Sequence, residues 1–171
     1  MSERFAKLYD EHLSGIFRYI SYRIGDVAVA EDLTSVVFEK ALAGFHSYKR
    51  EKAAPQTWLL SIARNTLTDY FRRAARSQSV PLENADGVSS AGPSPEEEVE
   101  RIEEVERLRL CLERLGYQEQ EIVSLKFGAE ITNRRIAIML SLSESNVGVI
   151  LFRALRKLKE CFMEWLNGKG R

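Results

Sequence analysis

Apolar residues recur at three-to-four spacing along most of this chain, the period of a helix with one buried face. Phe5, Leu8, Tyr9, Leu13, Ile16, Phe17, Ile20 and Ile24 form a first stripe, which Gly25 and Asp26 interrupt. Ala30, Leu33, Val37, Ala41, Leu42 and Phe45 form a second. A polar loop follows from His46 to Ala54. Pro55 suits the first turn of a third helix, where a missing N–H costs nothing. On that helix Trp58, Leu59, Ile62, Ala63, Thr66 and Tyr70 supply the apolar face. Further on, Ser94 is a candidate N-cap, with Pro95 after it and Glu96, Glu97 and Glu98 in the first turn, where the helix dipole favours carboxylates. Val99, Ile102, Val105, Leu108, Leu112 and Leu115 continue that stripe until Gly116. Gln118 to Phe127 predicts another helix, with Ile122, Val123 and Leu125 apolar. No strand-like alternation and no internal repeat is visible, so the expected fold class is all-α.

The pattern fails once. Between Ser77 and Pro95 there is no apolar period, and the stretch holds three of the four prolines among small polar residues. This composition is that of a flexible linker. It predicts two small helical domains, 1–76 and 96–171, joined by a linker over 77–95. A total of 171 residues suits such a division.

The end of the second domain carries the sharpest local signal. Thr132 to Leu140 predicts a short helix with an apolar face, and a long helix begins just beyond Ser141-Leu-Ser143. Two helices joined by a three- or four-residue turn, the second ending basic, are the pattern of a helix-turn-helix. Ile136, Ala137, Leu140, Leu142, Val147, Leu151 and Leu158 supply its expected core. Ala137 is small enough for a close crossing, and Ser143 can cap the second helix. A plain antiparallel helical hairpin would show the same apolar pattern.

Charge sharpens the picture. Lys plus Arg total 25 and Asp plus Glu total 25, so the net charge is zero and a uniformly basic nucleic-acid binder is excluded. The charges are segregated, however. From Lys49 to Arg76 they are mostly basic, from Glu96 to Glu106 mostly acidic, and from Arg153 to Arg171 basic again. Two basic blocks suggest two DNA-facing elements. On the third helix Ser61, Asn65, Thr68, Arg72 and Arg76 share one polar face, with Arg64, Asp69 and Arg73 beside it. The loop before it holds Lys49, Arg50 and Lys52, and Trp58 lies close by. Cations bind phosphates, Asn reads base edges, and unpaired bases stack on aromatic rings. The competing reading is a solvated face on an ordinary bundle, with Trp58 in the core.

Enzyme chemistry finds no support. His12 and His46 lack motif partners, and no H-E-x-x-H, P-loop or G-x-S-x-G occurs. No cofactor and no metal is expected. Cys111 and Cys161 are far apart with no C-x-x-C, which predicts buried free thiols rather than a disulfide or zinc site. No signal peptide or membrane span is visible. These features predict a reduced, cytoplasmic protein without membrane insertion.

Three stretches together resemble the extracytoplasmic-function sigma factors, the small two-domain members of the bacterial RNA polymerase sigma family. Ala30-Glu-Asp-Leu-Thr-Ser-Val-Val-Phe-Glu-Lys-Ala41 is similar to the family's polymerase-binding helix, a variant of D-A-E-D-L-T-Q-E-V-F. Thr57-Trp-Leu-Leu-Ser-Ile-Ala-Arg-Asn-Thr-Leu-Thr-Asp-Tyr-Phe-Arg-Arg73 is similar to its promoter-melting helix. Leu112 through Leu158 resembles its second domain. The resemblance implies an alternative sigma factor, not an enzyme, whose partners are core RNA polymerase, promoter DNA and an anti-sigma factor. It implies polymerase binding through Glu31, Asp32, Ser35 and Glu39. It implies contact with the −10 element through Lys49, Arg50, Lys52, Trp58, Ser61, Arg64, Asn65, Thr68, Arg72, Arg73 and Arg76. The loop from His46 to Gln56 would then hold a flipped base. It implies contact with the −35 element through Ser143, Ser145, Asn146, Val149, Arg153, Arg156 and Lys157.

The recognition helix departs from the family's usual G-T-V-K-S-R-L-F-R-A. Asn146 stands for Thr, Gly148 for a basic residue, Val149 for Ser and Ile150 for Arg. Ser141 replaces the turn glycine, which would strain a left-handed backbone there. Arg135 and Ile138 stand where the family commonly has Glu. These changes predict weak −35 readout. Two rival readings remain. One is an ordinary helix-turn-helix repressor or activator, which needs no docking helix around Asp32. The other is a sigma-like decoy that binds an anti-sigma factor without binding DNA.

Overall fold

The computed structural model describes residues 2–76 and 95–169, all helical apart from short connections. The expected linker, apart from Pro95, which begins a helix, and the expected N-cap at Ser94 lie outside the described residues. The chain divides into two compact units, Met1–Asp86 and Gly87–Arg171.

The first unit is three helices, α1 (Ser2–Ile24), α2 (Val27–Gly44) and α3 (Pro55–Arg76), each packed on the other two. Gly25, at φ 73°, makes the reversal after α1. The Asp26 carboxylate then accepts the Val29 N–H at 3.0 Å and caps α2. Inside lie Leu8, Ile16, Tyr19 and Ile20 of α1, Ala30, Val37, Phe38 and Ala41 of α2, and Leu59, Leu60, Ala63 and Leu67 of α3. Buried Thr34 returns its hydroxyl to the Ala30 carbonyl at 2.6 Å, and the Lys40 Nζ donates to Thr66 Oγ1 at 3.1 Å, tying α2 to α3. Leu42, expected in the α2 stripe, is exposed. It falls three and seven residues beyond Glu39 and Ser35, on the outward side of the helix.

The second unit comprises α4 (Pro95–Glu113), α5 (Tyr117–Val123), a π-helical turn (Ser124–Gly128), α6 (Asn133–Leu140) and α7 (Glu144–Lys169). The long α7 packs on α4, α5 and α6. Among the described side chains, Cys111 and Leu112 at the end of α4, and Leu115 just beyond it, are buried in this core; Ile102, Val105 and Leu108 are exposed, against expectation. The Gln120 side-chain amide donates to the Leu112 and Leu115 carbonyls at 3.0 and 3.1 Å, satisfying acceptors that the end of α4 leaves open. The helix expected over 118–127 is α-helical only to Val123. There the buried Ser124 hydroxyl donates back to the Gln120 and Glu121 carbonyls, and the following turn widens to π, with Ala129 N–H bonding Ser124 O at 3.0 Å.

The axes of α6 and α7 are bent by 106° across a three-residue turn, which is a helix-turn-helix. Thr132 caps α6 by accepting the Arg135 N–H, and Ser143 caps α7 by accepting the Asn146 N–H at 3.1 Å. Ser141 is left-handed, at φ 55° and ψ 43°. Its strain is offset by a Schellman closure, in which the Leu142 N–H bonds the Ala137 carbonyl at 2.9 Å.

The two cysteines, expected as free thiols, form a disulfide, with Cα atoms 5.8 Å apart. Their spacing of 50 residues carried no pairing signal; the packing of the end of α4 on α7 brings them within bonding range. Closing a loop of this length removes chain entropy from the unfolded state and stabilises by about 4 kcal/mol. Reduction is therefore expected to lower the unfolding midpoint of the second unit by at least about 10 °C. Thermal melts with and without a phosphine reductant, and of the Cys111→Ser/Cys161→Ser variant, check this. Equal midpoints would contradict it.

Candidate nucleic-acid interface

A helix that gives one face to the core keeps the opposite face for other uses. On α3 the inward residues are Leu59, Leu60, Ala63, Thr66 and Leu67, which leaves Ser61, Asn65, Thr68, Arg72, Arg73 and Arg76 exposed, with Arg64 half-buried beside them. The Ser61 and Thr68 hydroxyls donate to the carbonyls of Trp58 and Arg64, at 2.6 and 2.9 Å. Their oxygens still accept. Arg72 approaches Asp69 at 3.8 Å, a loose exposed pair that costs little to break. Lys49, Arg50 and Lys52 are exposed on the preceding loop. The structure thus gathers an amide, two hydroxyls and several cations on and beside one helix face.

The loop itself is folded rather than open. Lys52 and Ala53 both return their N–H groups to the Lys49 carbonyl. The Ser47 hydroxyl donates to the Gly44 carbonyl, and Nδ1 of His46 lies 2.9 Å from the Ala43 carbonyl. Tyr48 holds the centre. Its ring stacks on Trp58 at 4.4 Å between centroids and on Phe45 at 6.2 Å, and its hydroxyl donates to the Ala53 carbonyl at 2.8 Å. Burial pushes its phenol above the ordinary range. Nothing in the sequence singles out Tyr48, one aromatic inside a polar loop. It covers a face of Trp58, so Trp58 is a floor for the loop.

On α2, Glu31, Asp32, Ser35 and Glu39 are exposed while Thr34, Val37 and Phe38 are buried. A groove of about 380 Å³ runs beside them, lined by Tyr9, Leu13, Ser14 and Phe17 of α1 and Glu31, Thr34 and Ser35 of α2. Its lining combines the apolar Tyr9, Leu13 and Phe17 with the hydroxyls of Ser14, Thr34 and Ser35 and one carboxylate, Glu31.

In the second unit Ser143, Ser145, Asn146, Val149, Arg153, Arg156 and Lys157 are all exposed on α7 or its cap. Not all are equally available. Ser143 is engaged in capping. Arg156 lies 3.6 Å from Glu160, and the Lys157 Nζ donates to both oxygens of Glu119, at 2.8 and 2.9 Å. Phe152 stands 67% exposed among these residues, and on α6 Ile138 is 72% exposed. Among the described residues no group of His, Cys, Asp or Glu is placed to hold a metal, and no single helix is long and apolar enough to cross a membrane.

Comparison with known proteins bears on the family and the fold. The family description Sigma-70 region 2 matches residues 8–77, and Sigma-70, region 4 matches residues 111–160. The RNA polymerase sigma factor YlaC of Bacillus subtilis is 31% identical over 154 residues, covering 90% of this chain and 88% of its own. The ECF RNA polymerase sigma factor SigM of the same organism is 28% identical over 162 residues, covering 94% and 96%. The ECF RNA polymerase sigma factor BldN of Streptomyces coelicolor is 31% identical over 159 residues, 92% of this chain but 60% of BldN. In fold the chain is similar to the sigma factor RpoE solved with the anti-sigma factor NepR from Bartonella quintana, with a TM-score of 0.74 at 19% identity over 94% of this chain and 98% of that one. The chain belongs to the ECF RNA polymerase sigma factors. It is an alternative sigma factor of a non-enzymatic family that directs RNA polymerase to promoters.

The stack on Trp58 generates a prediction for the first unit. Tyr48→Phe removes one hydrogen bond and keeps the ring, so it is expected to cost roughly 1 kcal/mol. Tyr48→Ala removes both and leaves a gap, costing roughly 3 kcal/mol or more. Denaturant melts of both variants measure this. Equal losses would show that the ring stack does not hold the loop.

Proposed function

We propose that the two units divide promoter recognition between them. The first, over 1–76, docks on core RNA polymerase through the exposed α2 face of Glu31, Asp32, Ser35 and Glu39. It then holds the unpaired −10 strand on the loop and the α3 face. The second, over 96–171, sets α7 in the major groove of the −35 element, and residues 77–95 link the two. The observation that carries this reading is the single outward face of α3. It places Asn65 between the Ser61 and Thr68 hydroxyls, with Arg72 below, all exposed. Phosphates pair with the cations, and the amide is free for a base edge. Extruding a base costs a few kcal/mol, which stacking and hydrogen bonds in a formed loop can return.

The partners are core RNA polymerase, promoter DNA and an anti-sigma factor. The last draws support from the RpoE structure, which was solved with its own anti-sigma factor. Polymerase works in the cytoplasm, and we place the chain there. Thiols are kept reduced in that compartment, so the state of Cys111 and Cys161 follows their potential against the thiol pool. A decoy that binds an anti-sigma factor without DNA is favoured by Gly148, Val149 and Ile150 on the recognition helix, and disfavoured by the basic face of α3. Run-off transcription with core polymerase separates them. A sigma factor yields a promoter-dependent transcript, and a decoy yields none.

Asp32→Arg is expected to weaken core binding by tenfold or more, a change of about 1.4 kcal/mol. The side chain is exposed and the fold should survive. Core binding followed by fluorescence checks this, with circular dichroism as the folding control. Wild-type affinity would remove α2 as the docking face. Asn65→Ala is expected to leave core binding intact and to reduce permanganate reactivity of promoter thymines at limiting holoenzyme. Unchanged reactivity would remove Asn65 from strand capture.

A further inference from the structure

A carboxylate of α5 reaches the cations of α7. Glu119, in the first turn of α5, accepts the Gly116 N–H with Oε2 at 2.9 Å and so closes the start of its own helix. The same group accepts two hydrogen bonds from the Lys157 ammonium, across 38 positions of sequence. Its side chain is 16% exposed, whereas that of Lys157 is 52% exposed. Lys157 donates the strongest of the effects that hold the Glu119 carboxyl below its usual range; burial opposes it, and the Gly116 N–H and the charges of Lys157 and Arg153 add to it. Residues spaced four, seven and eleven apart share one helix side, so Asn146, Ile150, Arg153 and Lys157 form one strip of α7. Glu119 stands at its lower end.

We propose that Glu119 is an internal stand-in for a DNA phosphate, which occupies Lys157 and lowers the affinity of the second unit for duplex DNA. A carboxylate and a phosphate oxygen compete for the same ammonium. Each phosphate that a cation neutralises releases about 0.9 counterion. Withholding one cation therefore weakens binding to every sequence alike, by about fivefold at 0.15 M salt. The free chain is therefore held on bulk DNA about fivefold less tightly than it would be with Lys157 unpaired. This inference rests on the reading of α7 as the duplex-facing helix.

The test uses the full chain and a duplex of random sequence, with anisotropy titrations between 0.05 and 0.3 M salt, on the order of the range where counterion release is measured. Glu119→Gln keeps an acceptor for the Gly116 N–H but loses the charge that holds Lys157. It is expected to bind about fivefold tighter, with a salt slope steeper by about 0.9. Adding Lys157→Met to it is expected to abolish both gains. A wild-type slope in Glu119→Gln overturns the inference alone, as does a gain that survives Lys157→Met. Absence of duplex binding by every form overturns the reading of α7, and this inference with it. A second measurement needs no variant. Amine labelling read by mass spectrometry should modify Lys157 more slowly than exposed Lys159 on the same helix, and equal rates would overturn the pairing.

Discussion

The crossing of α6 over α7 is the constraint on which the second unit depends. Ile136 and Ala137 of α6 are buried, as are Val147 and Leu151 of α7. Bringing them together needs a bend of 106° within three residues. Such a reversal requires a left-handed residue, and Ser141 takes that conformation although a side chain there costs roughly 1–2 kcal/mol. The Schellman hydrogen bond and the buried apolar contacts offset it. Once the crossing is set, the outward face of α7 follows from helical period alone. The same logic governs the first unit, where Tyr19, Val37, Leu59 and Leu60 take the inner faces and leave α2 and α3 their outer ones.

Those outer faces explain how a chain of zero net charge belongs to a DNA-binding family. Cations are concentrated on the loop and α3 and again on α7, while Glu31, Asp32 and Glu39 gather on α2. Opposite signs on different faces suit the two partners proposed for this unit. On α7 the positive face is further restrained by Glu119 and Glu160. If α7 is the duplex-facing helix, as proposed, it keeps few groups that discriminate bases, since Gly148, Val149 and Ile150 cannot make the bidentate contact of Arg with guanine, worth roughly 1–3 kcal/mol.

Much of the fold was legible because helical period is a local property. The breaks at Gly25 and Asp26, the start at Pro55 and the cap at Ser143 were readable from short-range chemistry; the left-handed Ser141 was readable only from the glycine that the resembling family has there. What escaped was set by contacts distant in sequence. Cys111 and Cys161 are joined by packing, not by spacing. The stripe of α4 was visible, but which part of it would be covered was not, and Ile102, Val105 and Leu108 stay exposed. The π turn at Ser124 depends on a buried hydroxyl bonding back to its own helix. At the candidate sites, sequence named the residues but not their partners: the stack of Tyr48 on Trp58 and the hold of Glu119 on Lys157 needed coordinates.

On the proposed function two faces share promoter reading, with the loop and α3 contributing more discrimination than α7. Paired single-base scans of one promoter, recovered by selection with core polymerase and this chain, test it most directly. Transcription should fall more for changes in the −10 element than for changes in the −35 element. A −35 position costing tenfold more than any −10 position would contradict the account.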